Sequence, residues 1–224
     1  MNTFSDPDSV AKYAEAPPRL VPGFHDLQRM AALLLAENTE ADAQILVLGA
    51  GGGLELKVFA EWNPDWAFIG VDPSAEMLDL AKKTVGPEAA RMRFHKGYID
   101  SAPLGPYDAA TCILTLHFIP EDERLRTLVE LRKRLKPGAA LIVAHHSFPQ
   151  AKEEKSKWLA RYAAFAISNG VPAKNAEKAA NAIGNQLPAL SPKQDEALLR
   201  RAGFSNVSLF YAGLTFRGWI AFNS

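Results

Sequence analysis

The stretch "ILVLGAGGGLE", residues 45–55, decides how the chain reads. An apolar, β-branched run suited to a buried strand breaks into Gly49, Ala50, Gly51, Gly52 and Gly53, and a helical pattern resumes at Leu54. A strand that stops at glycines and re-enters as a helix is the first half of a strand–helix–strand unit. The glycines let the backbone turn tightly and bring its N–H groups close to a ligand.

Outward from this break the same signals repeat. Short apolar runs occur at "WAFIGVD", "MRFHKG", "YDAATCIL" and "AALIVAHH", separated by helical patterns at "LELKVFAEW", "SAEMLDLAKKTV" and "EDERLRTLVELRKRL". Alternation of this kind requires crossover connections, so the predicted fold is α/β, a doubly wound and mostly parallel sheet. The third of these helices is expected to stop at Pro137 and Gly138. Upstream, residues 24–37 place Phe24, Leu27, Met30, Ala31 and Leu34 on one helical stripe. Residues 150–190 read as an Ala- and Lys-rich helical insert interrupted at "SNGVP". The chain then gives a helix, "SPKQDEALLRRAG", and two strands, "SNVSLFYAG" and "LTFRGWIAF". The turn around Gly213 between those strands is short enough only for antiparallel partners.

With 224 residues, 48% hydrophobic and 22% charged, the chain is expected to form one domain over 1–224. Within it, 1–37 form an N-terminal cover segment and helix, and 150–190 a helical lid. Twenty-five basic residues balance twenty-five acidic ones, which disfavours a nucleic acid or an anionic membrane as partner. No run reaches the ~18 apolar residues of a membrane span. The first twenty residues lack a signal-peptide pattern, and the single Cys112 sits in an apolar stretch, so a cytoplasmic protein without an internal disulfide is expected.

In an open parallel sheet, ligands bind beyond the carboxyl ends of the strands, at the first strand-to-helix turn. The dinucleotide fingerprint needs a third glycine at position 54, where Leu54 stands, and no Gly-Lys-Ser/Thr follows for a terminal phosphate. Asp72, at the end of "FIGVDPS", is placed to accept both hydroxyls of a ribose. Loop and carboxylate together point to an adenosine-containing ligand.

The segments "VLGAGGG", "GVDPSAEML", "YDAATCILTLHFIP", "LRKRLKPGAALIVAHHS" and "LLRRAGFSNV...W", in this order over residues 40–222, resemble the class I S-adenosylmethionine-dependent methyltransferases. The resemblance implies a seven-stranded Rossmann-like sheet with an antiparallel last strand, and S-adenosyl-L-methionine as cofactor. It implies that Gly49, Ala50 and Gly51 line the methionine part, with Gly53 also among the cofactor-binding residues, and that Asp72 holds the ribose. Pro73 and Met77 would flank the adenine, with Tyr98 and Ile99 closing the same site; Met77 reads equally as core. Within that class the chain is most similar to the carboxy-S-adenosylmethionine synthase group, through "LVPGFHDL", "LTLHFIPEDER" and "RRAGF". It departs from that group with Phe24 for a tyrosine, Ile113 for an asparagine, and Leu198 for the arginine that holds the extra carboxylate. Without that arginine, plain methyl transfer is expected. Val47 and Tyr98 also stand where the class often has acidic residues, with Asp100 as a nearby substitute.

Methyl transfer asks the protein mainly to position and desolvate the reactants, and a base is needed only for a proton-bearing acceptor. His117 and His146 are the first and second candidates, at the ends of the fourth and fifth strands, and His145 the third. Strand alternation must turn one of the adjacent pair away. A purely structural histidine is the alternative for each. No Cys/His cluster suggests a metal, and none is expected. Tyr13, Phe24, His25, Trp158, Tyr162 and Phe165 are the aromatic candidates for the wall of a small, partly apolar acceptor's site. The insert is either the lid of that site or a contact with a second copy of the chain, as in a homodimer. The competing functions are a carboxy-S-adenosylmethionine synthase and a non-catalytic cofactor-binding regulator.

Overall fold

A computed structural model describes Val10 and residues 13–224; the cover segment expected before residue 13 otherwise lies outside the described residues. Seven strands form one sheet: β1 Gln44–Leu48, β2 Ala67–Asp72, β3 Met92–Lys96, β4 Tyr107–Ile113, β5 Leu135–His146, β6 Phe204–Gly213 and β7 Phe216–Asn223. Their order is β3-β2-β1-β4-β5-β7-β6, with the first five parallel and β7 antiparallel to both its neighbours. This is the predicted doubly wound sheet. Gly213 pairs with Phe216, so only Leu214 and Thr215 make the turn, and β7 slots between β5 and β6.

The central strands are apolar throughout because both faces are covered. Ile45 and Val47 of β1 face one hydrophobic layer and Leu46 and Leu48 the other. The first layer is closed by α2 (Phe24–Ala36) and α3 (Leu54–Trp62), the second by α5 (Glu121–Lys133) and α8 (Pro192–Arg201). Ahead of α2 stands the short α1 (Ala16–Leu20); between β2 and β3 lies α4 (Ala75–Val85). The insert is a helical hairpin, α6 (Lys152–Ser168) and α7 (Ala173–Gln186), whose Tyr162, Ala166, Ala176 and Ala180 join the first layer.

Two local expectations are corrected. The buried stripe of α2 is Phe24, Leu27, Gln28, Ala31, Ala32 and Leu35, while Met30 and Leu34 pack only at its border. Phe24, Leu27 and Ala31 are buried as expected, and the buried face widens to take in Gln28, Ala32 and Leu35. Pro137 and Gly138 do not stop α5, which ends at Lys133, but lie inside β5. Between Tyr107↔Leu135 and Ala109↔Ala140 the register shifts, so "KPG" forms a bulge that breaks the ladder where proline has no N–H to give. The helix end is fixed instead by the buried Arg134, which donates to Asp100 and Ala102 carbonyls and to Glu130.

The Ser74 hydroxyl caps α4 by accepting the Met77 N–H at 3.1 Å. Ser74→Ala is expected to cost about 1 kcal/mol, a fall of about 2–4 °C in Tm for a chain of this size, read by thermal unfolding; an unchanged Tm would show that the cap contributes nothing.

Candidate functional site

The glycine break lies at the carboxyl edge of β1, beside the ends of β2 and β4. Gly49 and Ala50 donate to the Val71 carbonyl, at 2.8 and 3.1 Å, which ties the loop to β2. Gly49 has φ +78°, and a Cβ there would fall 1.9 Å from Thr115 Oγ1. A Cβ on Gly51 would lie 2.6 Å from Asp72 Oδ2, so only glycine permits this approach. The Asp72 carboxylate accepts from Gly51 N–H at 3.1 Å and from Ser74 N–H at 2.9 Å. Burial raises its pKa, and these two backbone donors pull the other way.

A cavity of about 390 Å³ opens above the loop, bordered by Gly49, Gly51, Asp72, Pro73, Met77, Tyr98 and Ile99 among others. Ala50 and Gly53 lie off its wall. The Ala50 side chain is buried against Gly70, and Gly53 gives room to the α4 backbone at Ala81. Nor does Asp100 border the cavity; Ile99 takes that position.

A second cavity of about 170 Å³ adjoins the first, and Tyr13, Leu114 and Phe118 border both. His117, His146, Tyr162 and Phe216 line its inner wall, and Ala16, Pro17, Leu20 and Val21 its outer one. Leu114 adopts a left-handed backbone (φ +56°), a strained conformation for a non-glycine residue, of the kind that gathers at functional sites. The His117 Nδ1 accepts the His146 backbone N–H at 3.2 Å, and the His146 Nδ1 lies 3.1 Å from Thr215 Oγ1. Burial, together with the neighbouring histidines and Arg124, holds the His117 pKa well below its ordinary value. Burial and His145 push that of His146 down to about 3, against the pull of the Thr215 backbone. Both rings are neutral at physiological pH.

His145 points to the opposite face, as alternation requires of one member of the pair. Its Nε2 lies 3.2 Å from Asp195 Oδ1, which also accepts from Arg124 at 2.7 Å. Burial alone would raise Asp195; His145 and Arg124 hold it below the usual carboxylate range.

Of the aromatic candidates, Tyr13 and Tyr162 border the second cavity. The rest do not: Phe24 is in the core, His25 is exposed beside it, Trp158 stacks with Arg161 and Arg217, and Phe165 is half-buried on α6. Phe216 takes that role because β7, running antiparallel, begins at the carboxyl edge and pairs Phe216 with His146. Leu198, at the expected arginine position, is buried in the second layer and borders neither cavity. The sequence also gave no warning about Glu55. This residue, in the first turn of α3, is buried, and its Oε1 has no hydrogen-bond partner among the described residues. Burial pushes its pKa up to about 7, with Asp72 adding to the rise. Within "LELKVF" Glu55 stands two residues from Lys57, so nothing local set it apart from an ordinary exposed helix charge.

Neither cavity has a lysine or arginine among its described lining residues, whereas Asp72 and Glu123 border the first.

The pattern of the family described as "Methyltransferase domain" matches residues 45–138. The chain is 26% identical over 221 residues to a Carboxy-S-adenosyl-L-methionine synthase of Chromohalobacter salexigens, covering 97% of this chain and 82% of that one. It is 29% identical to a methyltransferase of Aspergillus luteorubrus, covering 85% and 70%. Human N-acetylserotonin methyltransferase, solved in complex with SAM, superposes with a TM-score of 0.68 at 16% identity, covering 99% of this chain and 57% of that one. At that identity the likeness establishes the fold, and this chain spans little more than half of that enzyme's length.

Proposed function

We propose that this chain, which belongs to the class I S-adenosylmethionine-dependent methyltransferases, transfers a methyl group to a small-molecule acceptor seated in the second cavity. The observation that carries this is the common wall of Tyr13, Leu114 and Phe118, which sets an acid-lined cavity beside one with two neutral histidines. The residues of the first cavity fit the cofactor. Its volume of about 390 Å³ suits a nucleoside with an amino-acid arm, its charges are negative, and its loop is open where a Cβ on Gly51 would collide with Asp72.

Asp72 would accept the ribose hydroxyls, Pro73, Met77 and Ile99 would flank the adenine, and Gly49 and Gly51 would border the methionine part. When bound, the cofactor supplies an electrophilic methyl group on a sulfonium with a good leaving group. The chain's own part is to position and desolvate the acceptor. Tyr162 of the insert and α1 shield it from water, which gives the insert the role of a lid. His146, neutral and held at Nδ1 by Thr215, would orient the acceptor through a hydrogen bond at Nε2, and the acceptor's proton would pass on to solvent, since burial keeps this imidazole a weak base. We place the enzyme in the cytoplasm, where Cys112, buried and unpaired, stays a thiol.

The test is incubation with a methyl-labelled cofactor and a panel of small acceptors, read by mass spectrometry. A labelled methyl on one acceptor is expected, with His146→Phe retaining cofactor binding and losing at least ~100-fold in turnover. Cofactor binding without any labelled acceptor across such a panel would count against methyl transfer. The similarity to Carboxy-S-adenosyl-L-methionine synthases supplies a second reading. Among the described lining residues of either cavity no lysine or arginine offers a counter-charge to an added carboxylate, which sets this reading behind. Recovery of cofactor with a carboxyl-sized mass gain would reverse that order.

A further inference from the structure

The second cavity is specific about size, charge and hydrogen bonding. Its volume of about 170 Å³ is close to the ~150 Å³ of an apolar cavity that holds benzene. Among its described lining residues no side chain is charged at physiological pH: the aliphatic wall is Ala16, Pro17, Leu20, Val21 and Leu114, and the two imidazoles are neutral. The His117 Nδ1 accepts a backbone N–H, so in the neutral ring the proton sits on Nε2, which is a donor. The His146 ring is held by Thr215 through Nδ1 and through the Thr215 backbone. A proton on Nδ1 facing that carbonyl leaves Nε2 as an acceptor. The two rings stand edge to face with centroids 5.0 Å apart, and both border this cavity. Phe216, stacked on His146 at 3.9 Å, and Tyr162 add aromatic faces to the same wall.

A donor and an acceptor side by side are the complement of a hydroxyl group, and a single-ring volume with flat walls is the complement of a benzenoid ring. We infer that the second cavity binds an uncharged single-ring phenol, its hydroxyl accepting from His117 Nε2 and donating to His146 Nε2. This names the acceptor class for the methyl transfer proposed above and rests on that reading for turnover, though not for binding. A carboxylate or an ammonium group on the ring would be buried with nothing to pair it.

The experiment is calorimetric titration of phenol, benzoate, benzylamine and 2-naphthol into the protein saturated with S-adenosylhomocysteine. Phenol is expected to bind at least ~100-fold more tightly than benzoate or benzylamine at pH 7.5, and the two-ring 2-naphthol is expected to be excluded. Leu20→Trp, which fills the cavity from its outer wall, is expected to abolish phenol binding and leave S-adenosylhomocysteine affinity unchanged. The cofactor arm reports that the variant is folded. Benzoate or benzylamine binding as tightly as phenol, no binding of phenol, or phenol binding unaltered by Leu20→Trp would overturn the inference. Phenol that binds as expected but is never methylated leaves this inference standing and sinks the proposed transfer. Methylation of a charged or larger acceptor does the reverse.

Discussion

Replacing Asp72 with alanine is expected to abolish stabilisation of the protein by S-adenosylmethionine and by its demethylated product. In the wild type, cofactor at 100 times its Kd adds about 2.7 kcal/mol, a rise in Tm of about 5–10 °C for a chain of this size. The carboxylate ends β2 and already receives the N–H groups of Gly51 and Ser74, so it is fixed before any ligand arrives. Two hydroxyls donating to a preset carboxylate are together worth about 4 kcal/mol, or about a thousandfold in Kd. Asp72→Asn, which keeps one carbonyl oxygen, is expected to fall between. Titration calorimetry on the three proteins measures this. Equal affinity for wild type and Asp72→Ala would place the ribose elsewhere.

Replacing Glu55 with glutamine is expected to stabilise the free protein, and increasingly so as pH rises. The folded-state pKa of Glu55 is pushed from 4.5 up to about 7, and each unit corresponds to 1.36 kcal/mol. Between these two values the native protein holds a proton that the unfolded chain has released. Stability is therefore full below about pH 4.5 and declines by about 3 kcal/mol as pH climbs to 7. Glutamine has no such proton, so the gap between variant and wild type should widen over that window and level off above it. Chemical denaturation at pH 4.5, 6 and 8 reads the gap directly, and a constant difference would mean that Glu55 is paired or solvated in the folded state. A buried carboxyl group with Tyr13 and the Asp72 carboxylate near it is costly. Glu55 borders neither cavity, but Asp72, which does border the first, adds to this cost, so positive charge bound beside Asp72 would relieve it. Stabilisation at pH 8 by the sulfonium cofactor should accordingly exceed that by its product, which carries one positive charge fewer, and Glu55→Gln should narrow the difference.

Most of the sheet was legible because its signals are local. Five apolar runs separated by helical patterns allow only crossovers, and a turn of two residues allows only an antiparallel β6–β7 pair. The "KPG" segment misled because proline and glycine usually end a helix, whereas here a β4–β5 bulge absorbs them, a feature set by the partner strand. The stripe of α2 was legible at Phe24, Leu27 and Ala31, while Gln28, Ala32 and Leu35 on the same face are buried by the packed fold and Met30 and Leu34 lie at its border.

The cofactor cavity draws on residues adjacent to strand ends, and Gly49, Gly51, Asp72, Pro73, Met77, Tyr98 and Ile99 all border it. Alternation told that one of His145 and His146 must turn away, but which one depends on Asp195 and Phe216, far along the chain. The wall of the second cavity was the least legible part. Leu20, Phe118 and Phe216 come from three separate elements, and only the packed fold brings them to one place.

A crystal structure with S-adenosylhomocysteine bound is the most direct check on the two-cavity arrangement. The expected result has the ribose hydroxyls on the Asp72 carboxylate and the sulfur at the shared wall of Tyr13, Leu114 and Phe118, facing His117 and His146. A sulfur directed away from the second cavity, or a ribose not held by Asp72, would contradict it.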